Sequence, residues 1–191
     1  MKTLIKISAV ALVVSALSFG AKAQTTSQNP STSSSVRLSA GVDAGLPTGD
    51  FSNTHNWSLG GSLQADIQVA KQLFVTVNGG YNNIYGKSIN GTSLNYTDVR
   101  LIPAKAGLKF FPVQNFYIQG EAGASFLANK TDLLANNSTA FVYAPQVGVV
   151  LPVGGKSFID AGVRFESTSS FYTNGNATNL FGLRVAYAFG L

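Results

Sequence analysis

Residues 57–69 read Trp-Ser-Leu-Gly-Gly-Ser-Leu-Gln-Ala-Asp-Ile-Gln-Val. Trp57, Leu59, Gly61, Leu63, Ala65, Ile67 and Val69 alternate with Ser58, Gly60, Ser62, Gln64, Asp66 and Gln68. A period of two puts these sets on opposite faces of an extended strand, because successive side chains point to opposite sides of the backbone. A helix would scatter both sets around its circumference. Upstream, Val36, Leu38, Ala40, Val42, Ala44 and Leu46 keep the same alternation. Downstream it returns at 73–85, 98–111, 116–128, 141–153, 158–168 and 179–191. In the run 98–111, Asp98 and Arg100 break the phase set by Ile102, Ala104, Ala106, Leu108 and Phe110, so a bulge or an early extracellular exit is expected there. The chain is therefore expected to be all-β, with eight antiparallel strands.

The connections at 47–56, 70–72, 86–97, 112–115, 129–140, 154–157 and 169–178 alternate long and short. Short connections such as Gly154-Gly155-Lys156-Ser157 carry turn residues, and the long ones are rich in Asn, Thr, Ser and Gly. An even strand number with this asymmetry is the pattern of an up-and-down transmembrane β-barrel. A soluble barrel would place the apolar face inside and the polar face in water. Here the polar face is mostly Gly, Ser, Gln and Asn, a poor water-facing surface but a good filling for a narrow lumen, and 11% of the chain is charged against ~25% in average domains. Aromatic residues gather near strand ends: Trp57, Tyr81, Tyr85, Phe126, Phe141 and Tyr143 toward the long loops, and Phe110, Phe116, Tyr187 and Phe189 toward the short turns. They read as two interfacial girdles around a lipid-facing band.

The N-terminus has Lys2 and Lys6, an apolar run from Ile7 to Phe19, and Ala21-Lys22-Ala23. This is a secretory signal peptide, with cleavage expected between Ala23 and Gln24. Removing it takes three lysines and lowers the formal charge from +5 to +2, so the basic balance gives no support for nucleic-acid binding. Residues 24–35 have no aliphatic or aromatic side chain before Val36 and are expected to form a disordered tether. The organisation is then signal peptide 1–23, tether 24–35 and barrel 36–191. No cysteine and one histidine exclude disulfides, thiolate chemistry and a His-rich metal site. No cofactor is expected.

Ile102-Pro103 through Lys109-Phe110-Phe111, the run 116–123, Asp160-Ala161-Gly162-Val163-Arg164-Phe165 and the terminal Tyr187-Ala188-Phe189-Gly190-Leu191 carry a resemblance. The chain resembles the outer membrane protein β-barrel domain family, the OmpA-like and PorT-like small barrels common in Bacteroidetes. That resemblance implies a location in the Gram-negative outer membrane. It also implies a final strand read by the barrel assembly machinery, here ending in Leu191 with Tyr187 and Phe189 keeping the alternation. No peptidoglycan-binding domain is expected after the barrel.

Arg37, Lys105, Lys109, Arg164 and Arg184 fall on the inward face, with Asp43, Asp66, Glu121, Asp160 and Glu166. Eight strands leave a lumen just wide enough for side chains to fill, and buried charges must pair. The expectation is a charge-paired polar plug, with Arg164 and Glu166 on one row and Glu121 or Asp160 reaching Arg184 or Lys105. A narrow or gated channel is the alternative. A lipid-modifying hydrolase is the weaker one, since His55 near Ser52 and Ser58 matches no hydrolase motif. The expected role is structural or loop-mediated and non-enzymatic. The expected partners are membrane lipid and, through loops 47–56, 86–97, 129–140 and 169–178, a surface ligand or envelope partner. The protein is expected to be monomeric.

Overall fold

The computed structural model describes residues 35–89, 94–173 and 175–191. The expected signal peptide, its expected cleavage between Ala23 and Gln24 and the expected tether up to residue 34 lie outside the described residues. Eight strands follow one another in the chain: β1 Val36–Thr48, β2 His55–Ala70, β3 Leu73–Gly86, β4 Val99–Val113, β5 Phe116–Leu127, β6 Thr139–Gly154, β7 Ser157–Thr168 and β8 Thr178–Gly190. Each pairs antiparallel with the next, and β8 returns to pair with β1 from Arg37↔Gly190 to Thr48↔Asn179. The sheet is a closed barrel with no free edge. Closure suits these sequences because it satisfies the backbone groups of every strand without a covering layer.

Turns Lys71–Gln72, Gln114–Asn115 and Gly155–Lys156 close one end of the barrel. Asn115 (φ 70°) and Gly155 (φ 56°) supply the left-handed backbone that such tight reversals need. Longer segments crowd the other end. One of them folds Gly49–Asn53 into a 3-10 turn, and another folds Lys130–Leu133 into a single helical turn, α1.

The alternation sorts the faces as the sequence reading has it, with the apolar side outward. Leu63 is 67% exposed, and Leu46, Val42, Ile118 and Leu183 stand out from the wall beside it. Arg184, Lys109, Gln119, Thr76 and Tyr117 are fully buried inside. A water-soluble globule has the opposite arrangement.

Of the two expectations at the start of β4, the bulge does not occur. Val99↔Ile84, Arg100↔Asn83 and Leu101↔Asn82 continue the ladder with no bulge. Arg100 faces outward at the loop end, while Val99 and Leu101 face inward and are buried. The sequence looks out of phase because the lumen is apolar at that level. Irregularities fall instead between His55 and Trp57, Gln68 and Ala70, Phe110 and Val113, and Pro152 and Gly154, all at strand ends where the sheet turns.

Candidate functional site

The lumen is filled in three layers. At the turn end, Phe74, Phe111, Tyr117, Val150, Phe158 and Ala188 form a buried cluster. Arg37, the second residue of β1, reaches into it. Its guanidinium carbon lies 4.4 Å from the Phe74 ring centre, 5.2 Å from Phe111 and 5.7 Å from Phe158. Nε and Nη2 of Arg37 are buried without a hydrogen-bond partner, and the residue makes no ion pair within 4 Å among the described residues. Ring faces take the place of a carboxylate here, a cation–π arrangement.

The middle layer holds the other nine charges. Lys109 Nζ lies 2.8 Å from Asp66 and 2.9 Å from Asp160, and 4.4 Å above the Tyr117 ring. The Tyr117 hydroxyl donates to Asp160 at 2.7 Å and receives the Gln146 amide. Arg184 approaches Asp160 at 3.8 Å and donates to Ser62 and Ser39 at 3.0 and 3.1 Å. One step toward the loops, Lys105 pairs with Glu166 and stands 3.9 Å from Glu121, which accepts from the Thr76 hydroxyl. Arg164 bridges Asp43 at 3.4 Å and Glu166 at 3.8 Å, and donates to the Gln146 carbonyl at 2.8 Å. Gln64 and Asn78 tie the lower half together, with Gln64 donating to Asp66 at 2.6 Å. So the Arg164–Glu166 row, Lys105 with Glu121, and Arg184 with Asp160 are juxtaposed as the sequence reading has them. Lys109 bridging two carboxylates is a pairing that reading did not contain.

The third layer, at the loop end, is apolar: Ile84, Val99, Leu101, Leu127, Ala135, Ala140, Phe171 and Leu180, with Phe51 and Leu133 packed against it. Sequence reasoning missed both this layer and the aromatic one below, though Phe74 shares the parity of the inward Thr76 and Asn78, and Phe111, Tyr117 and Phe158 share that of the inward charges on their strands.

All the girdle aromatics face outward. Trp57 stacks on Tyr85 across the β2–β3 ladder with ring centres 4.4 Å apart, and Tyr81, Phe126, Phe141 and Tyr143 ring the same end. Phe110, Phe116, Tyr187 and Phe189 are exposed at the other. His55 is buried at the loop end of β2. Its Nδ1 lies 2.8 Å from the Thr54 hydroxyl and its Nε2 3.3 Å from the Thr97 carbonyl, while Ser52 donates to Gly49. The serines near it in sequence are thus not its hydrogen-bond partners. No group of three or more His, Cys, Asp or Glu side chains suited to a metal ion occurs among the described residues.

No protein-family model matches the sequence, and no curated protein matches it. Solved structures do. Neisserial surface protein A is similar over 83% of this chain and 98% of its own, at 14% identity and a TM-score of 0.57. AlkL, solved in lipid bilayers, is 14% identical over 88% of this chain and 93% of its own, with a TM-score of 0.49. Ail of Yersinia pestis is 14% identical over 81% of this chain and 97% of its own, also at 0.49. The likeness to the neisserial protein is one of fold. This chain is a closed eight-stranded barrel of the kind found among small outer-membrane proteins.

Proposed function

We propose that the protein spans the Gram-negative outer membrane as a plugged barrel whose role is structural or is exercised through its loops. The observation that carries this reading is the inverted surface: apolar side chains line the outside of a closed sheet, and the paired charges are inside. Only a helix or a closed barrel satisfies its backbone in lipid, and a wall bearing Leu63, Val42 and Leu183 outward is suited to a hydrocarbon surround. The signal-peptide pattern of residues 1–23 and the family resemblance support export to that membrane.

Three filled layers favour a plug over a channel, because the lumen is crossed by aromatic rings, a salt-bridged network and an aliphatic layer in turn. Loop-mediated contact is supported by apolar side chains held out on the loops. Leu134 is 85% exposed at a left-handed position (φ 51°), and Leu94 and Tyr172 stand out on other loops. A non-enzymatic role fits His55, whose Nδ1 meets the hydroxyl of its chain neighbour Thr54 and whose Nε2 meets the Thr97 carbonyl, with Ser52 bonded to Gly49 instead.

Heat-modifiable migration of the protein in purified outer membranes, joined to planar-bilayer conductance, tests the reading. Folded material should migrate faster before boiling and should carry no steady conductance. A large steady conductance would overturn the plug, and recovery in the aqueous fraction after cell breakage would overturn the membrane assignment.

A further inference from the structure

Three loops at the outward mouth border a half-open cavity of about 240 Å³ set into the apolar layer. Phe51, Val99, Leu127, Leu133 and Phe171 line its depth. Asp50, Asn176 and Thr178 stand at its polar side. Its walls are tied to one another. Tyr172 donates its hydroxyl to the Leu133 carbonyl at 2.7 Å, and Asn137 N–H donates to the Phe171 carbonyl at 3.0 Å. Asn176 donates to Asp50 at 2.9 Å, and Lys87 to the Ser52 carbonyl at 2.6 Å. These bonds link all four long connections, so the cavity is preformed rather than opened by its occupant.

We infer that this cavity binds a small amphiphile from the aqueous side, with an aliphatic chain and a hydrogen-bond-donating head, a hydroxyl or an ammonium. The chain follows from the lining. A dry apolar cavity of about 150 Å³ accepts a benzene ring, so this volume suits a chain of about eight carbons. The head follows from Asp50, which lines the cavity and accepts from Asn176 through Oδ2, with acceptor capacity to spare on the carboxylate. A carboxylate head would meet Asp50 as a like charge and is rejected. Entry is from outside because the lining residues of β4 and β5, Val99 and Leu127, point into the lumen and not into the lipid-facing wall. The rest of the apolar layer and the charged layer beneath it close the floor, so the site holds its ligand and does not pass it on.

This inference rests on the loops being the active end of the barrel. Its test is run in lipid nanodiscs, because detergent chains would compete. Octylamine and 1-octanol are titrated into the full-length processed protein, with octanoate as the control, while the methyl signals of Val99, Leu127 and Leu133 are followed. The expected result is saturable shifts confined to those methyls, with octanoate at least about tenfold weaker than octylamine. Leu133→Trp and, at the rim, Ala177→Phe should each abolish saturation, and Asp50→Asn should erase the preference for amine over carboxylate. Non-saturable shifts, or shifts unchanged in the filled variant that keeps its heat-modifiable migration, would overturn the site. Heat modifiability lost in the parent barrel would instead count against the membrane reading, so the two failures are told apart.

Discussion

Asp43 and Arg184 face one another directly across the β1–β8 ladder, yet each finds its ion pair elsewhere: Asp43 with Arg164 at 3.4 Å and Arg184 with Asp160 at 3.8 Å. Arg184 and Asp160 are diagonal neighbours on β8 and β7, whereas the tighter pairs reach across the lumen, Lys105 on β4 to Glu166 on β7 and Lys109 on β4 to Asp160 on β7, with Asp66 two strands away on β2. Ladder neighbours therefore do not decide the pairing. The lumen is narrow enough for opposite walls to touch, and the charges hold those walls together.

Lys109→Met leaves two buried carboxylates without their shared cation. Breaking a buried pair from one side costs about 3–5 kcal/mol, and urea unfolding of the barrel in liposomes should show a loss of that order. Asp43→Asn should cost under about 1 kcal/mol in the same assay, because that side chain is 20% exposed and its partner keeps Glu166.

Arg37→Met is expected to cost no more than about 2 kcal/mol, the worth of a desolvated cation–π contact. The substitution removes a buried charge that no carboxylate neutralises at close range, and the thioether can pack on the same three rings. A loss as large as that of Lys109→Met would mean that Arg37 is held by longer-range attraction to the carboxylates above it.

Leu63→Arg puts a cation on the outer wall, where Leu63 pairs with Ala40 along β1. In hydrocarbon this costs about 2–4 kcal/mol near the midplane; in water a surface change of this kind stays within ~0.5 kcal/mol. Unfolding in liposomes measures the difference, and a neutral result would place this face outside the lipid.

Gly107→Ala should destabilise the barrel by about 1–3 kcal/mol, since a Cβ there would come within 2.7 Å of the Glu121 Cα across the β4–β5 ladder. Gly79→Ala, whose Cβ would meet nothing nearer than the Pro103 carbonyl at 4.0 Å, should be tolerated. Comparing midpoints of the heat-induced mobility shift for the two variants checks the contrast.

Strand number, the long–short order of the connections and the two faces of each strand were legible in the sequence because all three depend on period-two spacing and turn chemistry alone. What fills the lumen was less legible. Phe74 and Phe158 look lipid-facing by hydrophobicity but lie inward by parity with Thr76 and Asp160, and Val99 and Leu101 look out of phase only if the interior is assumed to be polar throughout. Parity along each strand, followed past the charged stretch, would have found both layers. The pairing of Lys109 with Asp66 and Asp160 was beyond reach, because it depends on strand tilt and stagger around the closed cylinder. The cavity at the mouth was equally hidden, since its walls come from loops whose mutual placement no local pattern encodes.

The seam between β1 and β8 joins the two ends of the domain, and Arg184 sits in the middle of it. That one side chain reaches Asp160 on β7, Ser39 on β1 and Ser62 on β2. Zipping the last strand onto the first and delivering the final cation to the lumen are consequently a single event. A chain stalled before that event would display two raw edges and an acidic, half-wetted interior, a combination by which unfinished barrels are physically distinguishable from finished ones.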